Sequence, residues 1–220
     1  MQHIVRMMTV CVLAATPVFA QEHRGYVTGA GGFASSADGT SGDVLGEAGM
    51  RIAPHVSVFA NVGRFENLQP SAVQPAVDLT VAAFGVGTGL NLTGTGTVPA
   101  WYSTAGLRYA FPAHGRLTPF ASGGLGFAHL TPKASFQYIS GTFPDGSLST
   151  SGSAVTSQVI ATGVFTEPPS SSAFMWSVGA GADFQLVRHV ALEAGYRFSR
   201  VAADTPIDAN SVTFGMGYRF

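Results

Sequence analysis

The chain has 220 residues, enough for one sizeable domain; 46% are hydrophobic, only 10% are charged, and the formal net charge is −1. Soluble proteins carry charge on about a quarter of their residues, so a water-facing exterior here would have to be built from Ser, Thr, Gly and Ala. The charge balance excludes a basic nucleic-acid surface, the single cysteine excludes a disulfide framework, and 28 glycines argue against long helices.

The first twenty residues, MQHIVRMMTVCVLAATPVFA, place Arg6 before an apolar run from Met7 to Ala15 and end with the small residues Val18 and Ala20. That order predicts a secretory signal peptide over 1–20 and a mature domain over 21–220. A membrane-spanning helix needs about 20 apolar residues, and this run is shorter and is followed by Pro17. Cys11 lies inside the signal, and the preceding MTV lacks the small residue of a lipoprotein signal.

Strand-like segments follow. In GYVTGAGGF the phase of alternation is open. VLGEAGMRI sets Glu47, Gly49 and Arg51 against Ala48, Met50 and Ile52, and VSVFANVGRF sets Val56, Val58, Ala60 and Val62 against Ser57, Asn61 and Gly63. Arg64 breaks that pattern and is expected beyond the apolar part of the strand. The long connection from Glu66 to Pro99 holds either a short helix begun by Pro75, with Val77, Val81 and Phe84 on one face, or an extra hairpin that would raise the strand count to ten.

AWYSTAGLRYAF alternates cleanly, with Trp101, Leu107, Tyr109 and Phe111 opposite Thr104, Gly106 and Arg108. TPFASGGLGFAHL slips phase between Phe120 and Leu125, which predicts a bulge at Gly123 and Gly124. The Ser/Thr/Gly-rich connection from Thr131 to Ala173 reads as flexible and exposed. Three further segments restore period two. FMWSVGAGADFQL carries Trp176 and Phe184 opposite Asp183 and Gln185. VALEAGYRFS carries Tyr196 and Phe198 opposite Glu193 and Arg197, and SVTFGMGYRF carries Tyr218 and Phe220 opposite Arg219.

Connections alternate in length. APH, PAHGR and VRH are tight turns, each with one histidine, whereas about Ala34–Asp43, 66–99, 131–173 and about Val201–Asn210 are long. His55, His114 and His189 read as turn residues, because nothing brings three separate turns together. The apolar face of each clean strand is free of charge and the opposite face is too polar for a sandwich core. Apolar side chains facing lipid around a polar lumen satisfy every backbone group without an edge. Aromatics fall at strand ends: Trp101, Trp176, Tyr196 and Phe198 by the long loops, and Tyr109, Phe111, Phe184, Tyr218 and Phe220 at the opposite end. From Trp101 to Phe111, a rise of ~3.3 Å per residue and a tilt of ~40° give roughly 25 Å, the height of an outer-membrane apolar band.

The expected fold is all-β: a transmembrane antiparallel up-and-down barrel of eight strands, with a strand inserted in the second long connection as the ten-strand alternative. The terminal YRF resembles the C-terminal assembly signal of Gram-negative outer-membrane barrels, and with the loop rhythm the mature chain resembles the small eight-stranded OmpA/OmpX-type family. That resemblance implies Phe220 as insertion signal, and the barrel-assembly machinery and periplasmic chaperones as partners during biogenesis. It also implies outer-membrane lipid and lipopolysaccharide as surroundings, and an extracellular ligand held by loops. It departs from the full OmpA plan, since no peptidoglycan-binding domain follows.

Eight strands leave an interior that side chains can fill. The inward set of Glu47, Arg51, Arg108, Asp183, Glu193, Arg197 and Arg219 should therefore pair, and Glu193 and Arg197 are expected to exchange partners with Arg219 and Asp183. Two functions fit: a closed barrel serving envelope integrity or interaction, and a porin-like channel for small solutes. A soluble secreted β-protein is disfavoured by the aromatic ends. For catalysis the nearest set is His129, Thr131 and Glu193, but HLT has threonine where barrel deacylases that it resembles have serine, so no enzyme is expected. No metal spacing occurs and no cofactor is expected; GAGG and GVGTG lack the lysine of a phosphate loop.

Overall fold

The computed structural model describes residues 25–112 and 115–220. The expected signal peptide over 1–20 and the turn residue His114 lie outside the described residues. Ten strands are formed: β1 (Gly25–Ser36), β2 (Gly39–Ala53), β3 (Val56–Phe65), β4 (Asn91–Thr97), β5 (Ala100–Ala110), β6 (Leu117–Leu130), β7 (Lys133–Ser140), β8 (Ser171–Val187), β9 (Val190–Ala202) and β10 (Ile207–Arg219). Eight of them close a barrel in the order β1-β10-β9-β8-β6-β5-β3-β2, while β4 and β7 make a separate two-stranded sheet. Closure is completed by antiparallel pairing of β1 with β10, and Gly25 and Phe220 exchange backbone hydrogen bonds of 2.9 Å in both directions. No barrel edge is left for the bilayer to meet.

The pleat sorts the barrel wall. Outward positions hold Phe33, Leu125, Phe127 and Phe214, all exposed, and inward positions hold Asn61, Thr104, Arg108, Ser177 and Asp183, all buried. Four expectations are corrected. The first and fourth long connections are tight, because β1 meets β2 across Ala37 and Asp38 and β9 meets β10 across residues 203–206. Apolar alternation ends before the hydrogen-bond ladder does, since small polar residues pair as readily once both faces leave the apolar layer. β6 has no bulge: its register with β5 and β8 is continuous through Gly123 and Gly124. Phe120 is simply an inward aromatic. The third connection is ordered, containing β7 and a short helix α2 (Thr156–Ala161) with Val155, Val159 and Phe165 buried.

The second connection resolves in favour of the helix, and it also supplies a strand. Helix α1 (Gln74–Thr88) has Pro75 in its first turn, buries Val77, Thr80 and Phe84, and is ended by Gly89 at φ 69°, the left-handed cap that glycine favours. β4 follows and pairs with β7 from the other long connection. These two strands prolong the β5–β6 ladder: Ala100 faces Leu130, the Thr131 N–H donates to the Pro99 carbonyl at 3.0 Å, and Thr97 faces Lys133. Pro99 and Pro132 interrupt the ladder between the two stretches because each lacks a backbone N–H. Side-chain parity carries through the break. Tyr102, Ala100, Leu92, Leu130, Ala134 and Phe136 are buried on one face, and α1 packs there because Gly94 and Gly96 leave no Cβ to meet Val77 and the backbone of Gln74.

One hydrophobic cluster results. It joins Val73, Val77, Phe84, Leu92, Phe136, Val159 and Phe165 of this cap to inward residues at the barrel's long-loop end, among them Phe65, Tyr102, Met175, Val201 and Ile207.

Candidate functional site: the lumen charge network

Period two aims Arg108 of β5 into the lumen, and its guanidinium reaches across it. Nη1 lies 2.8 Å from Glu193 of β9 and 3.4 Å from Glu47 of β2, while Nη2 lies 2.8 Å from both carboxylate oxygens of Asp183 on β8. The cation also stacks over the ring of Phe120, 3.5 Å from its centroid. An aromatic face attracts a desolvated cation, and this one covers the guanidinium plane that the carboxylates leave free. Arg219 of β10 adds a second cation to Asp183 at 2.7 Å. Around Glu47, the Tyr26 hydroxyl donates at 2.7 Å and the Asn61 amide at 3.5 Å, and Asn61 in turn accepts from the Thr104 hydroxyl at 2.7 Å.

A second group lies toward the long-loop end. Arg197 of β9 donates to Asp43 of β2 at 3.0 Å and to the Tyr102 hydroxyl at 2.6 Å, and Tyr102 donates onward to Asp43 at 2.9 Å. Asp43 is 0% exposed. Burying a carboxylate so fully costs several kcal/mol unless it is paired and hydrogen-bonded, and here both of its oxygens are engaged.

Six of the seven charged residues selected from sequence therefore line the lumen with ionic partners, in a pairing that differs from expectation. Arg108 is the hub, Asp183 bridges Arg108 and Arg219, Glu193 bonds Arg108, and Arg197 takes Asp43 instead of Asp183. Arg51 does not join them. It is exposed beside the register shift between Arg51 and Ala53, where β2 runs out into its turn, and among the described residues it has no ion pair. Sequence reasoning missed Asp43, Tyr26, Phe120, Tyr102 and Thr104. Asp43 carried a usable signal, because it stands four residues before Glu47 and so shares its face, but it lay in a stretch read as loop.

The aromatic residues occupy two ends of the wall. At the long-loop end Trp101 faces outward with Arg64 at 5.6 Å from its ring, Trp176 packs on Phe198 at 5.4 Å, and the Tyr196 hydroxyl donates to Asn210 at 2.5 Å. At the other end Tyr109 meets Phe111 at 5.0 Å, Tyr218 meets Phe220 at 6.5 Å, and Phe184 is exposed. The three residues weighed for catalysis are not assembled. His129 points outward and its Nδ1 lies 2.8 Å from the Ser172 hydroxyl, whereas Glu193 is in the lumen on the other side of the wall. Among the described residues no group of three or more His, Cys, Asp or Glu could hold a metal ion.

A closed eight-stranded wall with an apolar outside and a charged inside is the architecture of a transmembrane β-barrel. The chain belongs to the family described as the outer membrane protein beta-barrel domain, whose model matches residues 7–220. Its place is the bacterial outer membrane.

Among solved structures it is similar to Neisserial surface protein A, with 16% identity, 92% of this chain and 100% of that chain covered, and a TM-score of 0.53. It is also similar to a major outer membrane protein of Thermus thermophilus, with 12% identity, 90% and 100% covered, and a TM-score of 0.51. The N-terminal barrel domain of Pseudomonas aeruginosa OprF gives 13% identity, 91% and 100% covered, and a TM-score of 0.50. At these identities the likeness is one of fold. No curated protein matches the chain by sequence.

Proposed function

We propose that the protein is a sealed outer-membrane barrel serving envelope integrity or loop-mediated interaction, its lumen closed by paired side chains and its cap offered to the exterior. In this reading residues 1–20 are a secretory signal, the short turns and Phe220 face the periplasm, and the long connections face outside. Phe220 then acts as assembly signal for the barrel-assembly machinery after delivery by periplasmic chaperones. The observation that carries the sealed reading is the span of Arg108, whose guanidinium bridges carboxylates from β2, β8 and β9 while Phe120 lies against its plane. The hydrophobic cluster at the long-loop end supports it with a second obstruction.

The test is planar-bilayer conductance of the folded mature protein. Correctly folded protein should be electrically silent. Reproducible ion steps would overturn the sealed reading in favour of the porin-like channel for small solutes, with Glu47, Asp183, Glu193 and the lumen arginines as its lining.

A further inference from the structure

The outward face of the wall changes chemistry at one row of the sheet. Below it Phe127, Phe174 and Val62 are exposed apolar residues. The row itself, read across β3, β5, β6 and β8, pairs Arg64 with Trp101, Trp101 with His129, and His129 with Ser172. Above it, in unbroken parity, β4 and β7 present Thr97 opposite Lys133, Thr95 opposite Ser135 and Thr93 opposite Gln137, a face with no carboxylate. Lys133 is the sole lysine of the chain.

Three observations give this surface an occupant. It is continuous with the lipid-facing wall, so whatever stands above the acyl chains of the outer leaflet lies against it. Arg64 and Lys133 are exposed and, among the described residues, form no ion pair, whereas Arg200 on the neighbouring β9 is paired with Asp208 at 3.6 Å. Glu66, the carboxylate nearest in sequence to Arg64, lies over Gly42 on the β2 side, away from Trp101. The π-face of Trp101 holds the guanidinium of Arg64 while its N–H edge stays available to an anion. The His129–Ser172 pair adds hydrogen-bonding groups, and the hydroxyls and amide of the ribbon match a saccharide more than an acyl chain.

We infer that this strip binds the phosphorylated saccharide headgroup of a glycolipid in the outer leaflet, with Arg64 and Lys133 on phosphate and Trp101 and His129 beneath the sugar. The inference rests on the proposed orientation, which has its own test. A membrane-impermeant amine reagent on intact cells labels Lys133 only if the long-loop end is outside.

For the strip, equilibrium binding of lipid A to folded protein in an uncharged detergent is followed by Trp101 emission in the Trp176→Phe background. Heat-dependent gel mobility confirms that each variant is folded. Saturable binding is expected, weakened about tenfold or more by the double change Arg64→Ala and Lys133→Ala, as for loss of a charge-assisted contact. Arg64→Lys should recover part of it, and Leu79→Ser on the exposed face of α1 should leave it unchanged. Equal binding of phosphate-free lipid A would overturn the inference, as would unaltered binding by the double variant. Saturation of the same site by inorganic phosphate with equal affinity would overturn the assignment to a glycolipid.

Discussion

Phe127 on β6 and Phe136 on β7 belong to a single ladder that continues past Pro132, yet Phe127 is 67% exposed and Phe136 is fully buried. Below the prolines the ladder shows apolar residues outward and Thr104 and Arg108 inward. Above them it shows Thr93, Thr95 and Gln137 outward and Leu92 and Phe136 inward. The polarity of the two faces inverts while the backbone hardly changes direction. Strand geometry is thus indifferent to which face is apolar, and the solvent on the outer side decides it. In lipid the outside must be apolar and charge is driven into a lumen where it has to pair. In water the same pleat builds an ordinary hydrophobic core, and helix α1 is recruited to cover it.

The comparison breaks most severely at the hub of the lumen. Arg108→Ala leaves Glu47, Asp183 and Glu193 facing one another with Arg219 as the remaining cation bonded to Asp183. Removing one partner of a buried ionic group typically costs about 3–5 kcal/mol. The variant should show a loss of about that size in urea-unfolding free energy in vesicles, while the cap retains its protease resistance. Loss of both together would mean that barrel and cap form one cooperative unit.

The inward charges were legible because Asp183, Glu193, Arg197 and Arg219 stand in strands of strict alternation, where a single period assigns every side chain. Glycine-rich β1 gave no phase, so Tyr26 and its bond to Glu47 stayed hidden. Phe120 was misassigned for the opposite reason. An aromatic reads as lipid-facing, and only the three-dimensional arrangement shows a cation for it to stack on. The helix was readable from Pro75 and its 3–4 spacing, but the pairing of β4 with β7 joins segments from separate connections, and no local pattern reports that. Asp43 fell between these cases, on a strand that outlasts its apolar alternation.

A smaller effect sharpens the inversion. Leu125 is outward near mid-wall and Gln137 is outward on the ribbon, in the same parity of the same ladder. An arginine on the lipid face costs about 2–4 kcal/mol near the bilayer midplane and falls toward zero at the interfaces. Leu125→Arg should therefore lower folding free energy in vesicles by that amount, whereas Gln137→Arg should stay within about 0.5 kcal/mol of the parent, as exposed substitutions do. Equal costs at the two positions would mean that the ribbon is embedded in lipid and that the inversion at the prolines has another cause.

The smallest effect concerns edges, which the two regions close differently. The barrel closes by pairing β1 with β10 along their length. The ribbon has two free sides, and an exposed strand edge invites pairing with another chain. On the β7 side residues 152–155 lie alongside, with the Tyr138 N–H donating to Ser153 at 3.0 Å and the Val155 N–H to Phe136 at 2.9 Å. On the β4 side an amide side chain substitutes for a strand. Gln74 accepts from the Gly96 N–H at 2.7 Å and donates to the Gly94 carbonyl at 3.4 Å, and Asn67 accepts from the Val98 N–H at 2.9 Å. Gln74→Ala would leave the Gly96 N–H without its partner, a loss of about 1–2 kcal/mol. The cost is local, so the Gly96 amide should exchange its hydrogen several-fold faster while unfolding of the barrel is unchanged. Exchange as slow as in the parent would show that backbone shielding by α1, rather than the glutamine amide, keeps the edge closed. In that case the cap's own core, like the lipid around the barrel, would be what settles the strand edge.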